Sequence, residues 1–187
     1  MSQLKMYRPA ELAIPELVLP AGVSIRSMRP GEETVWCECC LGEFGVETVG
    51  PEIYAKYMGE KNCFTADDVF FLFLDGKPVG TATARTTDEG AFLHYIAVKP
   101  EARGKRLVYP LITRVLLRHA EFGRYGCYLT TDDFRVPAVK GYLNMGYRPV
   151  LWTEDARERW EKMLRLYGME RVAAYEEDMT AAPDVIA

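Results

Sequence analysis

The chain has 187 residues, with 49% hydrophobic and 27% charged side chains, and 23 basic against 27 acidic residues give a net charge of −4. That composition is globular rather than disordered or fibrous, and a chain of this size buries about 70% of its unfolded surface in one core without disulfide staples. The acidic balance speaks against nucleic acid as a partner, since neutralising phosphates takes a surplus of Lys and Arg, and no apolar run approaches the roughly 18 residues of a membrane span.

The first residues lack the apolar core of a signal peptide. Five cysteines, an odd number, favour a reducing, cytoplasmic setting. Pro9, Pro15 and Pro20 mark residues 1–22 as an extended lead-in. Val23 to Met28 alternates as a strand, and Pro30-Gly31 breaks it. Val35, Trp36, Cys39 and Cys40 recur at helical spacing, and a second helix opens at Pro51 with Ile53, Tyr54, Tyr57 and Met58 on one side. Three strands follow, 69–74, 78–86 and 92–98, joined by turns at Asp75-Gly76 and Asp88–Gly90.

Leu111, Ile112, Val115 and Leu116 mark a third helix, on which His119 reads as a surface residue beside Arg118. A short strand, 127–131, leads to a helix over 138–145 that Gly146 closes, and 147–152 is a further strand. Thr153 is placed to cap a last helix, ending at Tyr167, whose buried stripe is Ala156, Trp160, Met163, Leu164 and Tyr167. Residues 169–187 read as a weakly ordered acidic tail. The sum is a single α/β domain over 23–168, its mixed sheet mostly antiparallel and flanked by helices.

The stretch from Leu93 to Val108 carries the most chemistry. A strand ends at Val98, a basic loop follows, and a helix begins with Pro110 in its first turn. Unpaired amides at a helix start attract anions, and Arg103, Lys105 and Arg106 add positive charge, so free donors are expected between Arg103 and Tyr109.

Val98-Lys-Pro100 followed by Arg103-Gly104-Lys105-Arg106-Leu107-Val108 resembles the acetyl-CoA motif of the GCN5-related N-acetyltransferases. In that motif a strand ends in Val-x-Pro and a helix opens on Arg/Gln-x-x-Gly-x-Gly/Ala. Arg106 and Val108 depart from its small residues. A second block, Ala138 to Tyr147, is similar to the family's Ala-x-x-x-Tyr-x-x-x-Gly-Phe/Tyr segment. The resemblance spans roughly Val23 to Trp152. It implies acetyl-CoA as co-substrate and direct attack on its thioester by a primary amine, in a small molecule or a peptide.

The resemblance places the pantetheine arm along Ile96, Ala97 and Val98, the oxyanion at the Val98 amide, and the pyrophosphate on Arg103, Gly104, Lys105, Arg106, Leu107 and Val108. It also implies that Tyr142 gives the leaving thiolate its proton, which suits a phenol with an ordinary pKa of about 10. His94 is the candidate general base, at a place where the related serotonin acetyltransferases have histidine. Glu38, Glu43 and Glu47 lie where the family shapes its acceptor pocket, as alternative bases or cation sites. Cys37, Cys39 and Cys40 lack a second Cys/His pair at zinc-like spacing, so no metal is expected. A non-catalytic CoA-binding module is the alternative function, the acceptor stays unnamed, and a homodimer remains open.

Overall fold

The computed structural model describes residues 2–59 and 65–187. In chain order the elements are β1 (Leu4–Arg8), β2 (Val23–Ser27), α1 (Glu33–Cys40), α2 (Pro51–Met58), β3 (Val69–Leu74), β4 (Lys77–Thr87), β5 (Gly90–Val98), α3 (Val108–Ala120), β6 (Cys127–Thr131), α4 (Val136–Asn144), β7 (Arg148–Leu151), α5 (Ala156–Tyr167), β8 (Arg171–Glu176) and β9 (Ala181–Ile186). They form two compact units, one of residues 13–125 and one of residues 1–12 with 126–187, and the fold is mixed α/β.

In the 13–125 unit, β2, β3, β4 and β5 pair antiparallel in chain order. Asp75 and Gly76 turn β3 into β4 with φ of 50° and 78°, the doubly positive geometry that a two-residue hairpin requires. The unbroken apolar run of β3 reflects burial on both faces: Val69, Phe70, Phe71 and Leu72 are all fully buried. On one face, Phe71, Val69 and Ala97 pack with Trp36, Cys37 and Cys40 of α1 and Met58 of α2.

The other face meets α3. A Cβ on Gly80 would stand 2.9 Å from the Ala97 carbonyl oxygen and 3.3 Å from a Leu111 methyl, so only glycine admits the helix this close. His119 departs from expectation. It is 1% exposed, because it follows Val115 by four residues and shares the buried stripe. Its Nε2 lies 3.2 Å from the Phe92 carbonyl oxygen and its Nδ1 3.4 Å from Thr86 Oγ1.

In the second unit the strand order is β6-β1-β7-β8-β9, with β1 antiparallel to both neighbours and β7 parallel to β8. The extended lead-in is thus corrected at its start: residues 4–8 form an inner strand, with Leu4, Met6 and Arg8 buried in alternation. The prolines that suggested a lead-in begin only at Pro9 and leave β1 free to pair. Arg8 Nε donates to the Met145 carbonyl at 2.9 Å, satisfying an acceptor just past the end of α4.

The acidic tail is also corrected, to a hairpin of β8 and β9 that buries Val172, Ala174 and Val185. Its alternation rests partly on alanine, which keeps the hydropathy signal flat, and Asp178 closes the turn by accepting from Thr180 N–H and Oγ1–H at 2.9 and 2.6 Å. Thr153 is not a cap. Asp155 stands at the N-cap of α5, Thr153 Oγ1 donates to its carboxylate at 2.7 Å, and no side chain caps the helix amides.

Candidate active site

At the end of β5, Lys99 N–H donates to the Val79 carbonyl at 2.8 Å. Amides along an antiparallel strand alternate in direction, so the Val98 N–H points to the edge of β5 away from β4. Ala97 is buried, and Ile96 and Val98 are half-buried. A 3₁₀ turn, Pro100–Ala102, leads into the basic loop. Gly104 and Arg106 have φ of 78° and 58°, and α3 then begins at Val108. The amides of Gly104, Lys105, Arg106, Leu107 and Val108 donate to no backbone carbonyl among the described residues. Left-handed Arg106 followed by right-handed Leu107 is a pairing that turns successive N–H groups into a concavity for anions.

This arrangement fits a pyrophosphate. Arg106 holds the left-handed conformation that glycine adopts freely, so its bulk costs strain without removing its amide from the cradle. Lys105 and Arg106 are exposed there. Arg103 differs: its Nε donates to the Val98 carbonyl at 3.0 Å and its Nη2 to Glu43 at 2.8 Å, so it ties the strand end to the loop after α1. Glu38 pairs with Lys99 at 3.5 Å, and Glu47 is exposed.

His94 lies on the α1 and α2 face of the sheet, in one row with Thr83 and Val69. Next to it the register of β4 and β5 slips between Thr81 and Thr83, and Tyr95 takes φ of 44° in the bulge. The two ring centroids lie 3.9 Å apart, with the planes tilted by 46°. Burial first, and the charge of Arg85 second, push the His94 imidazole down to about 4. It is therefore neutral at physiological pH, able to accept a proton but weakly basic. Its Nε2 is buried and unpartnered among the described residues.

Around Tyr95 stand Trp36, Phe44 and Tyr57, with ring centroids at 5.4, 5.3 and 6.3 Å, and Tyr54 meets Trp36 edge-on at 5.7 Å. Burial, with Glu33 adding to it, pushes the Tyr54 phenol up to about 12. This aromatic wall and Arg85 escaped sequence reasoning. The signals were present: Tyr54 and Tyr57 at helical spacing, and Arg85 on the strand face that Thr81 and Thr83 occupy.

Cys37, Cys39 and Cys40 are buried free thiols. Burial pushes Cys39 up to about 12 and raises Cys40 well above the ordinary thiol range, which keeps both protonated and poor as ligands. A cleft of about 520 Å³ between Glu38, Lys77, Lys99 and Glu101 contains none of the residues from Gly104 to Val108.

In the other unit, Tyr142 is 5% exposed on α4, its ring 6.0 Å from that of Tyr147. Tyr147 is wholly buried and its hydroxyl donates to Cys127 Sγ at 3.2 Å. The loop into α4 is held by Arg159, which grips both carboxylate oxygens of Asp133 and donates to the Ser2 carbonyl at 2.9 Å.

An amide cradle at a helix start, a strand amide before it that points away from β4 and an aromatic-walled face thus stand together in the 13–125 unit of this α/β fold. The sequence model of the Acetyltransferase (GNAT) family matches residues 36–147, and the chain belongs to that family. It is 32% identical over 147 residues to a mycothiol acetyltransferase of Streptomyces bingchenggensis, covering 74% of this chain and 47% of that protein.

Among solved structures it resembles a GCN5-related N-acetyltransferase from Sphaerobacter thermophilus, with 18% identity and a TM-score of 0.66 over 79% of this chain and 48% of the other. It also resembles an aminoglycoside N-acetyltransferase in complex with CoA, with 20% identity and a TM-score of 0.54 over 69% and 91%. The chain spans about half the length of the mycothiol acetyltransferase and of the Sphaerobacter protein. No described helix is long and apolar enough to cross a membrane.

Proposed function

We propose that the protein is an acetyl-CoA-dependent N-acetyltransferase acting on a primary amine. The observation that carries this reading is the run of free amides from Gly104 to Val108, opening α3 shortly after a strand whose Val98 N–H points away from β4. Membership of the acetyltransferase family supports it, as does the likeness to a fold solved with CoA.

When bound, acetyl-CoA supplies an activated acyl group. The cradle amides and the N-terminal pole of α3 take the pyrophosphate, with Lys105 and Arg106 adding charge. Ile96 to Val98 line the pantetheine arm, and the Val98 N–H stabilises negative charge as it develops on the acyl oxygen. The attacking amine must be neutral and must shed a proton. His94, held neutral and with an unpartnered ring nitrogen, accepts the amine's proton once attack on the thioester has made that nitrogen acidic. Tyr142 is assigned the proton for the leaving thiolate on its motif position.

Thiol release from acetyl-CoA, followed across amino acids, polyamines, aminosugars and peptides, tests the reading. Turnover with at least one amine class and amide formation in the product is the expected result. Binding without acyl transfer to any amine would instead define a CoA-binding module.

A further inference from the structure

The 13–125 unit has four half-buried arginines, Arg26, Arg85, Arg114 and Arg118. Three hold carboxylates: Arg26 holds Glu32 at 2.6 Å, Arg114 holds Glu121 at 3.2 Å, and Arg118 holds Asp68 at 2.8 Å. Arg85 has no carboxylate among the described residues, and its Nε is sealed from solvent without an acceptor. Withdrawing even one guanidinium N–H from water is costly unless an acceptor compensates it.

Its surroundings are equally unfinished. Arg85 faces the same way as Thr83 and Thr81 on β4, and Phe92 and His94 are the cross-strand neighbours of Arg85 and Thr83. Thr81 Oγ1, Thr83 Oγ1 and His94 Nε2 are buried and unpartnered as well. The guanidinium lies 5.9 Å from the Phe92 ring centroid. This is the sheet face on which the aromatic wall stands, and His94, the group set against the acceptor amine, lies on it.

We infer that the acceptor is an amine that also carries an oxyanion, a carboxylate or a phosphate, and that Arg85 is the residue that binds it. The inference rests on the acetyltransferase reading and deepens it. A planar guanidinium offers two parallel N–H donors, which suits a carboxylate or phosphate edge and distinguishes such amines from polyamines or plain aminosugars. The Thr83 hydroxyl and the His94 imidazole add neutral hydrogen-bonding groups to the same strip.

The test compares acceptors that differ only in the anion. Amino acids are assayed against their amides, and O-phosphoethanolamine against ethanolamine, by thiol release at saturating acetyl-CoA. The anionic member of at least one pair should have the higher kcat/KM by roughly 10- to 100-fold, the size of a charge-assisted hydrogen-bonded pair, and which pair responds tells carboxylate from phosphate. In Arg85→Gln that preference should collapse, and in Arg85→Lys part of it should return. Melting curves of both variants report their folding.

Equal kcat/KM for the members of both pairs, or a preference that survives in a folded Arg85→Gln, overturns the inference and leaves the acetyltransferase reading standing. A protein that does not bind acetyl-CoA overturns both.

Discussion

Acidification should destabilise this protein through His94, by an amount that its surroundings fix. In the unfolded chain the imidazole titrates near 6.5; in the folded protein burial and Arg85 push it down to about 4. Above pH 6.5 both states hold it neutral and nothing is lost. Between 6.5 and 4 the unfolded chain takes up the proton and the folded protein does not, so stability falls with pH and levels off below 4. At pH 5 the loss is about 2 kcal/mol.

His119, lowered mainly by its burial, shifts in the same direction, as do other groups, so the comparison is between the wild type and His94→Gln. Urea unfolding of each at pH 7.5 and at pH 5 gives two differences. The wild type should lose about 2 kcal/mol more than the variant, while any constant cost of the buried glutamine cancels. Equal losses, within about 0.5 kcal/mol, would refute the account of His94 as a buried neutral imidazole.

Tyr142→Phe removes one hydroxyl from a buried ring; turnover should fall by roughly 10²-fold with acetyl-CoA affinity kept, as single-turnover and binding measurements would show. Gly104 sits at φ of 78° with nothing within 4 Å of a built Cβ, so Gly104→Val is strained by its backbone alone, about 1–2 kcal/mol, and should weaken acetyl-CoA more than Arg106→Ala does in calorimetry; the reverse order would contradict a backbone cradle. Ending the chain at Met169 removes β8 and β9 with the buried Val172 and Val185, and should cost about 3–5 kcal/mol in urea melts; an unchanged midpoint would return the segment to a passive tail.

The elements that sequence placed well are those whose pattern and punctuation agree. The Asp75-Gly76 turn, the apolar run of β3 and the stripe of α3 each signal one structure by two independent cues. The loop of unpaired amides before α3 was legible for the same reason, since Pro110 limits the helix start and the motif limits the loop.

What escaped depends on contacts far apart in the chain. β1 is a strand because it pairs with residues 127–131 and 148–150, and nothing in its own five residues announces those partners. β8 and β9 owe their burial to one alanine and two valines, too weak a pattern to read alone. Arg85 reads as an ordinary solvated strand arginine until the bulge at Tyr95 and the burial of its Nε set it among unpartnered polar groups.

The claim on which the rest depends is that the amides of Gly104 to Val108 hold the pyrophosphate of acetyl-CoA. Titration calorimetry of the whole chain with acetyl-CoA, paired with melting curves, tests it directly. Saturable binding is expected, together with a melting temperature that rises with ligand, corresponding to about 2.7 kcal/mol at a hundred times the dissociation constant. Gly104→Val should blunt both signals. No heat and no shift at millimolar acetyl-CoA would contradict the claim.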